Sequence, residues 1–139
     1  MQIIYNSIGV IHTPYIHMAP FQAVEDDTNG PFILELDERY ATGLKDLEKH
    51  KYVIVFFHID RAKGYNGSNI AHPPSMKGGS IGLFASRSPN RPNPIGIDVA
   101  KLLKIEGNKV YTSGLSALDG TPLLDIKPYL SIDCKEPVV

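Results

Sequence analysis

The chain has 139 residues, of which 42% are hydrophobic, and its formal net charge is −1. These values fit one domain with a real core and exclude a wholly disordered chain. They also exclude a strongly basic coat for nucleic acid, although a local basic face remains compatible with them. The single cysteine, Cys134, excludes an intramolecular disulfide. Because no signal-peptide pattern opens the chain and no apolar run is long enough to span a bilayer, we expect a soluble cytoplasmic protein.

The first half of the chain predicts three strands, at residues 2–15, 31–40 and 51–60. The third is a continuous apolar run, which predicts burial on both faces of a sheet. Between the second and third, Tyr40, Leu44 and Leu47 repeat at helical spacing, and Asp37 is available as a cap. We therefore expect one short helix in this region.

The second half predicts a long loop, then further strands. Residues 61–80 are rich in glycine and proline, and a loop of that length in a compact domain is usually functional or disordered. Strands are predicted at residues 80–86, on both sides of a tight turn at Gly107-Asn108, and from Thr121 to Pro128. No βαβ rhythm and no internal repeat is visible. The pattern predicts an all-β or β-dominated domain.

One stretch, "SRSPNRPNPIG" from Ser86 to Gly96, is unusually stiff. Each of its three prolines fixes φ, and the residue before each one is pushed away from helical geometry. The stretch is therefore a rigid, extended loop that carries Arg87 and Arg91. It fits an ordinary surface crossover, and it fits equally a preorganised wall that binds an anion or a flat ligand.

The remaining candidate residues are individually weak. His58 ends the buried run, where it is either a core histidine or a site residue that Asp60 orients. Asp119-Gly120 is a common turn, and Asp125 and Lys127 share one face of the last predicted strand. No phosphate-binding glycine motif is present. No cysteine pair and no H-E-x-x-H motif is present either, so no metal site is predicted.

Four motifs together are distinctive. They are "IGVIHTPY" from Ile8, "FFHID" from Phe56, "GLFASRSPNRPNPIG" from Gly82 and "LDGTPLLDIKPY" from Leu118. In this order and spacing, over nearly the whole chain, they closely resemble the tRNA methyltransferase O family, also called the TsaA-like or YaeB-like domain. The resemblance implies an antiparallel β-barrel that binds S-adenosylmethionine as a homodimer. It also implies N6-methylation of threonylcarbamoyladenosine beside the tRNA anticodon.

The resemblance further implies which residues contact the cofactor. Matched residue by residue, these are Gln22, His58, Ile59, Arg87, Val99, Ser116, Ala117, Leu118 and Asp119. His58 and Asp119 are the candidate catalytic bases, and no pattern selects between them. Arg87 is expected to point into the cofactor site, whereas Arg91 either supports the loop or contacts substrate.

Two departures from the family pattern bear on the substrate. Many relatives have arginine between the proline and glutamine of a Pro-Arg-Gln motif, but Phe21 stands there in this chain. Many also carry a second, C-terminal domain, whereas we expect residues 1–139 to form a single barrel domain. For tRNA binding, the candidate phosphate contacts are Lys49, Lys51, Arg61, Lys63 and Lys77.

Three functions therefore remain open at this stage. The first is the tRNA methyltransferase that the resemblance implies. The second is an S-adenosylmethionine-dependent methyltransferase that acts on another small acceptor. The third is a non-enzymatic module that binds S-adenosylmethionine.

Overall fold

The computed structural model describes residues 1–136, and within them eight strands pair, each pair antiparallel. The strands are β1 (Gly9–His12), β2 (Phe32–Leu36), β3 (Tyr52–His58), β4 (Ile70–Ala71), β5 (Ile81–Gly82), β6 (Ile95–Glu106), β7 (Lys109–Thr112) and β8 (Thr121–Pro128). Six of them close into a barrel in the order β1-β2-β7-β6-β3-β8, while β4 and β5 pair separately as a small arm. The predicted antiparallel β-barrel is confirmed.

The barrel interior is the hydrophobic core, filled by alternate residues of each strand. The side chains with no exposed surface include Ile11, Leu34, Val53, Val55, Val110, Leu115 and Leu123. Burying a side chain of this size stabilises the fold by about 1.5–3 kcal/mol. In β3, Val53, Val55 and Phe57 point inward, while Ile54 and Phe56 are half-buried on the outside. The prediction that this strand is buried on both faces is wrong, because a barrel strand faces the core with every second residue only.

Gly96 is required by the packing of β6 on β3. It lies opposite Phe57 in the ladder, and a Cβ at this position would overlap the Phe57 ring. The glycine therefore lets the ring lie across β6 in the barrel interior.

The predicted helix is a 3-10 helix rather than an α-helix. It runs over Glu38–Leu44, and the Asp37 side chain accepts from the Arg39 N–H, so the cap is confirmed. The segment is short and contains Gly43, a poor helix former, which explains why only the tighter turn forms. Three further 3-10 turns occur among the described residues, at Leu47–Lys49, Leu83–Ala85 and Ser131–Asp133.

Three strand boundaries differ from the sequence prediction. The first strand begins at Gly9, where its pairing with β2 and β8 begins, and residues 1–7 are exposed. The stretch 80–86 forms only β5 before Leu83–Ala85 turns. The long loop 61–80 contains β4, whose antiparallel partner is β5. The first two stretches have strand propensity without a neighbouring strand to extend the ladder, whereas β4 forms because β5 lies beside it.

No helix among the described residues is long and apolar enough to cross a membrane. The expectation that residues 1–139 form one domain without a second C-terminal domain remains a prediction.

Candidate active site

The main cavity lies beside β6, where that strand passes the ends of β3 and the proline loop. Its volume is about 710 Å³. Its walls come from five parts of the chain: the segment around Phe21, the end of β3, the proline loop, β6 and the turn before β8. The lining residues are Ala19, Pro20, Phe21, Gln22, Ala23, Phe57, Ile59, Asp60, Arg61, Ala62, Ser86, Arg87, Pro89, Arg91, Ile95, Gly96, Ile97, Asp98, Val99, Ser116, Leu118 and Thr121. The size is that of a site for a small organic ligand.

The proline loop is held in shape by its own polar groups. Arg91 donates from Nη1 to the carbonyl oxygens of Ser88, at 2.8 Å, and Ser86, at 3.3 Å. The Ser86 hydroxyl in turn donates to the Leu83 carbonyl at 2.7 Å. Arg91 therefore supports the loop, and because it also lies in the cavity wall, its contact with substrate remains a prediction.

A second arginine is fixed on the opposite wall. The Arg61 guanidinium donates from Nη2 to the Thr121 hydroxyl at 3.1 Å and lies 3.2 Å from the Asp60 carboxylate. The Thr121 hydroxyl donates to the Leu118 carbonyl at 2.7 Å. Asp60 therefore pairs with Arg61, and the expectation that it orients His58 has no support in these contacts.

A buried carboxylate lies on the β6 side of the cavity. Asp98 is 4% exposed, and its two oxygens accept from the Ser116 hydroxyl at 2.7 Å and the Ser116 N–H at 2.8 Å. Burial raises the pKa of Asp98 above its ordinary value, while the bonds from Ser116 and the charge of Arg87 act in the opposite direction. Arg87 makes no hydrogen bond or ion pair within residues 1–136 and is exposed, so its guanidinium is available to a ligand.

The structure brings together most of the residues that the family resemblance implied. Six of the nine line this one cavity: Gln22, Ile59, Arg87, Val99, Ser116 and Leu118. They come from five separate parts of the chain. Their contacts with a cofactor remain predictions.

The other three lie outside the cavity wall. Ala117 is buried in the core. His58 is exposed at the end of β3, with its neighbours Phe57 and Ile59 in the wall. Asp119 accepts from the Thr13 N–H at 3.1 Å and lies 3.8 Å from Nδ1 of His12. The roles of His58 and Asp119 as candidate bases remain predictions.

Asp98 and His12 were missed by the sequence analysis. Asp98 had a visible signal, because in a strand it shares a face with Gly96 and Ala100, and a charge on such an inward face is unusual. His12 joins the Asp119 turn to β2 through a 2.7 Å contact between Nε2 and Glu35. Nothing in its local sequence indicated that contact, since Glu35 is on another strand.

The candidate phosphate contacts come from two regions of the chain, the loop 61–80 and the segment before β3. Arg61 is in the cavity wall, and Lys63 is two residues further along the chain. Lys49 and Lys51 precede β3, whose other end reaches the cavity, so they lie about 20 Å away along that strand. Lys49 is also paired with Asp46 at 3.1 Å. The position of Lys63 next to the cavity wall favours it over Lys49 and Lys51 as a phosphate contact beside this cavity.

Metal ligands have no comparable arrangement. Among residues 1–136, no group of three or more histidine, cysteine or acidic side chains is placed to hold a metal ion.

Fold and cavity together define a β-barrel domain with a ligand-sized cavity beside β6. The family described as the tRNA-methyltransferase O N-terminal domain matches residues 10–134. A "Probable S-adenosyl-L-methionine-binding protein" of Pyrococcus abyssi is 40% identical over 142 aligned residues, which cover 99% of this chain and 74% of that protein. The chain belongs to the tRNA-methyltransferase O family, as its motifs predicted.

Two further relatives extend the comparison. The tRNA (adenine(37)-N6)-methyltransferase of Mus musculus is 43% identical over 94 residues, which cover 68% of this chain and 21% of that enzyme. The crystal structure of TrmO from Pseudomonas aeruginosa superposes with a TM-score of 0.75 at 29% identity, covering 95% of this chain and 58% of that one. The chain therefore spans about a fifth of the mouse enzyme and somewhat over half of the Pseudomonas protein.

Proposed function

We propose that this protein is an S-adenosylmethionine-dependent tRNA methyltransferase whose cofactor binds in the cavity beside β6. The observation that carries the proposal is that six residues implied by the family resemblance line one cavity. They are Gln22, Ile59, Arg87, Val99, Ser116 and Leu118. Relatives named for S-adenosylmethionine binding and for tRNA adenine-37 methylation support both halves of it.

The cavity's chemistry fits the cofactor. Ile95, Ile97 and Val99 supply an apolar wall for an adenine ring, and the volume of about 710 Å³ leaves room for a ligand of that size. Arg87, which has no hydrogen-bond or ion-pair partner in residues 1–136, suits the cofactor's carboxylate, since a guanidinium binds that group in a fork geometry. Arg61 and Arg91 are already engaged with protein oxygens. Arg87 is the residue we assign to the carboxylate.

When bound, the cofactor supplies a methyl group on a positively charged sulfur. The chain's own contribution is to position the acceptor nitrogen in line with that group and to exclude water, and such positioning accounts for a large part of the acceleration. The walls that do this are stiff, because the proline loop is fixed by Arg91 and the facing turn by Arg61. The acceptor's proton passes to water or to a weak base, for which His58 and Asp119 are the candidates.

We propose threonylcarbamoyladenosine in tRNA, beside the anticodon, as the acceptor. The carbonyl attached to N6 in that nucleoside makes the nitrogen more acidic than in plain adenosine. A weak base or water is then sufficient to accept the proton. Such a substrate also implies a cytoplasmic location.

We propose further that the protein acts as a homodimer. Ile95, Ile97 and Val99 occupy successive outward positions of β6 and are 45%, 39% and 46% exposed. An apolar row of this kind, continuous with an open cavity, is a typical interaction surface. A second copy would cover it and close the site. Light scattering is expected to give twice the 15.3 kDa chain mass, and a monomer that binds cofactor at full strength would contradict a shared site.

A non-enzymatic binding module is the second candidate. It is favoured by the naming of the Pyrococcus protein, which covers nearly all of this chain, for binding alone. Both functions require cofactor binding, so calorimetry with S-adenosylhomocysteine tests their common basis. We expect S-adenosylhomocysteine to bind at one site per chain. We also expect S-adenosylmethionine to compete with it for that site. No heat and no thermal shift at millimolar ligand would reject both.

A further inference from the structure

The barrel wall is open along part of β6. This strand pairs with β3 over Ile95–Lys101 but with β7 only from Leu102 onward. The last link across the open side joins Lys101 to Ser113, through a 2.9 Å bond to the Lys101 carbonyl and a 2.8 Å bond from its N–H to the Ser113 hydroxyl. Beyond it the two chain segments separate, and the cavity occupies the opening.

The hydrogen-bonding pattern between β6 and β3 shows which backbone groups of β6 face this opening. Leu102 donates to the Lys51 carbonyl at 2.9 Å, and at the other end Ile59 donates to the Pro94 carbonyl at 2.8 Å. Even-numbered residues of β6 therefore bond to β3, and in an antiparallel ladder the alternate residues direct N–H and C=O to the other side. Ile97 and Val99 present a free strand edge inside the cavity wall.

One side chain spans the opening. Continuing the register from Leu102 opposite Thr112 places Asp98 opposite Ser116. The Asp98 carboxylate takes both the N–H and the hydroxyl of Ser116, at 2.8 and 2.7 Å. A side chain thus replaces the backbone ladder here, which keeps the two segments joined but apart. An almost fully buried carboxylate is costly to retain for stability alone.

We propose that Asp98 is a positioning residue: it holds Ser116 across the opening and so keeps the β6 edge at Ile97 and Val99 at the spacing that the cofactor requires. The proposal rests on cofactor binding in this cavity, as proposed above. Asp98 need not contact the reacting atoms. Without the charge of Asp98 the bonds from Ser116 are weaker, and the spacing across the opening is held less firmly.

The positioning role makes cofactor affinity depend on the charge of Asp98. The other charged groups around the cavity are Arg87, Arg91 and the paired Asp60 and Arg61. Asp98 and Asp60 are the two carboxylates in the cavity wall, and Asp60 is paired with Arg61. Protonation of Asp98 gives up one acceptor for Ser116 and weakens the brace.

The test measures S-adenosylhomocysteine affinity by calorimetry from pH 5 to pH 8. Asp98→Asn, which keeps the shape but not the charge, is expected to bind about tenfold more weakly at pH 8. The difference from the wild type should shrink toward acid pH, as the wild-type carboxylate takes up its proton. Asp125→Asn, an exposed carboxylate paired with Lys127 on β8, is the matched control and should bind as the wild type does.

Ser116 provides a second pair of variants in case Asp98→Asn does not fold. Ser116→Ala removes the hydroxyl bond and should weaken binding, whereas Ser116→Thr keeps a hydroxyl and should restore it. Equal affinity of Asp98→Asn or Ser116→Ala and wild type at every pH would overturn the positioning role. A wild-type protein that binds no S-adenosylhomocysteine would instead reject the proposed function itself.

Discussion

Arg91 and Ser88 are joined by a 2.8 Å hydrogen bond from the guanidinium Nη1 to the backbone carbonyl, inside the most proline-rich segment of the chain. The neighbouring Arg87 has no such partner among the described residues and lies on the cavity wall. The two arginines, four residues apart, therefore have different roles in the loop. Arg91 stabilises its conformation, and Arg87 is available to bind a ligand in the cavity.

Replacing Arg91 should therefore affect stability before it affects binding. Arg91→Ala removes the bonds to the Ser86 and Ser88 carbonyls and is expected to lower the free energy of unfolding by about 1–2 kcal/mol. Arg91→Lys should recover part of the loss, since an ammonium can bond to a carbonyl. Denaturant unfolding measures both, and an unchanged midpoint for Arg91→Ala would show that the prolines alone fix the loop.

Replacing Arg87 should have the opposite profile. Arg87→Ala is expected to leave the unfolding midpoint unchanged and to weaken S-adenosylmethionine binding by about 1.5–3 kcal/mol, the value of a hydrogen bond to a charged group. Calorimetry beside a thermal melt separates the two effects. Unaltered affinity would remove Arg87 from the site.

Asp98 should give stability a pH dependence of known sign. Burial raises its pKa in the folded protein above the unfolded value of about 3.9, so the folded state binds its proton more tightly. Its contribution to stability is therefore greatest below pH 4 and is lost as pH rises through the raised pKa. Relative to Asp98→Asn, the wild type should lose stability over that window, and a relative gain would contradict the burial effect.

The fold was largely predictable from the sequence. Motif order indicated the family, and β-branched runs between turn residues located the barrel strands. What failed were features that depend on neighbours. Ile54 and Phe56 were expected in a core because their run is apolar, but barrel closure turns them outward. Residues 1–7 have strand propensity and no adjacent strand.

The site was predictable in part. Residues in distinctive motifs, such as Arg87 and Leu118, could be matched position by position, and they line the cavity. Arg61 was assigned to phosphate binding as one of several basic residues of a local face, and only the folded chain shows its bond to Thr121. Asp98 pairs with a residue 18 positions away, a relationship that no local pattern encodes.

The basic residues of the loop 61–80 should determine tRNA affinity. Binding is expected to weaken with salt, with a log–log slope of about −0.7 to −0.9 per phosphate neutralised. Replacing Lys63 and Lys77 together by alanine should make the slope shallower by roughly one to two units. Lys49 and Lys51, at the far end of β3, form the control pair. A larger effect from the control pair would place tRNA on the other end of the barrel.

The most direct test of the central claim is transfer of a labelled methyl group from S-adenosylmethionine to tRNA, followed by mass spectrometry of the nucleosides. The predicted result is label on threonylcarbamoyladenosine at N6, and none on matched tRNA that lacks the carbamoyl group. Label on both tRNAs would contradict the proposed acceptor. Full cofactor binding with no label on either would contradict the enzyme itself and favour the binding module.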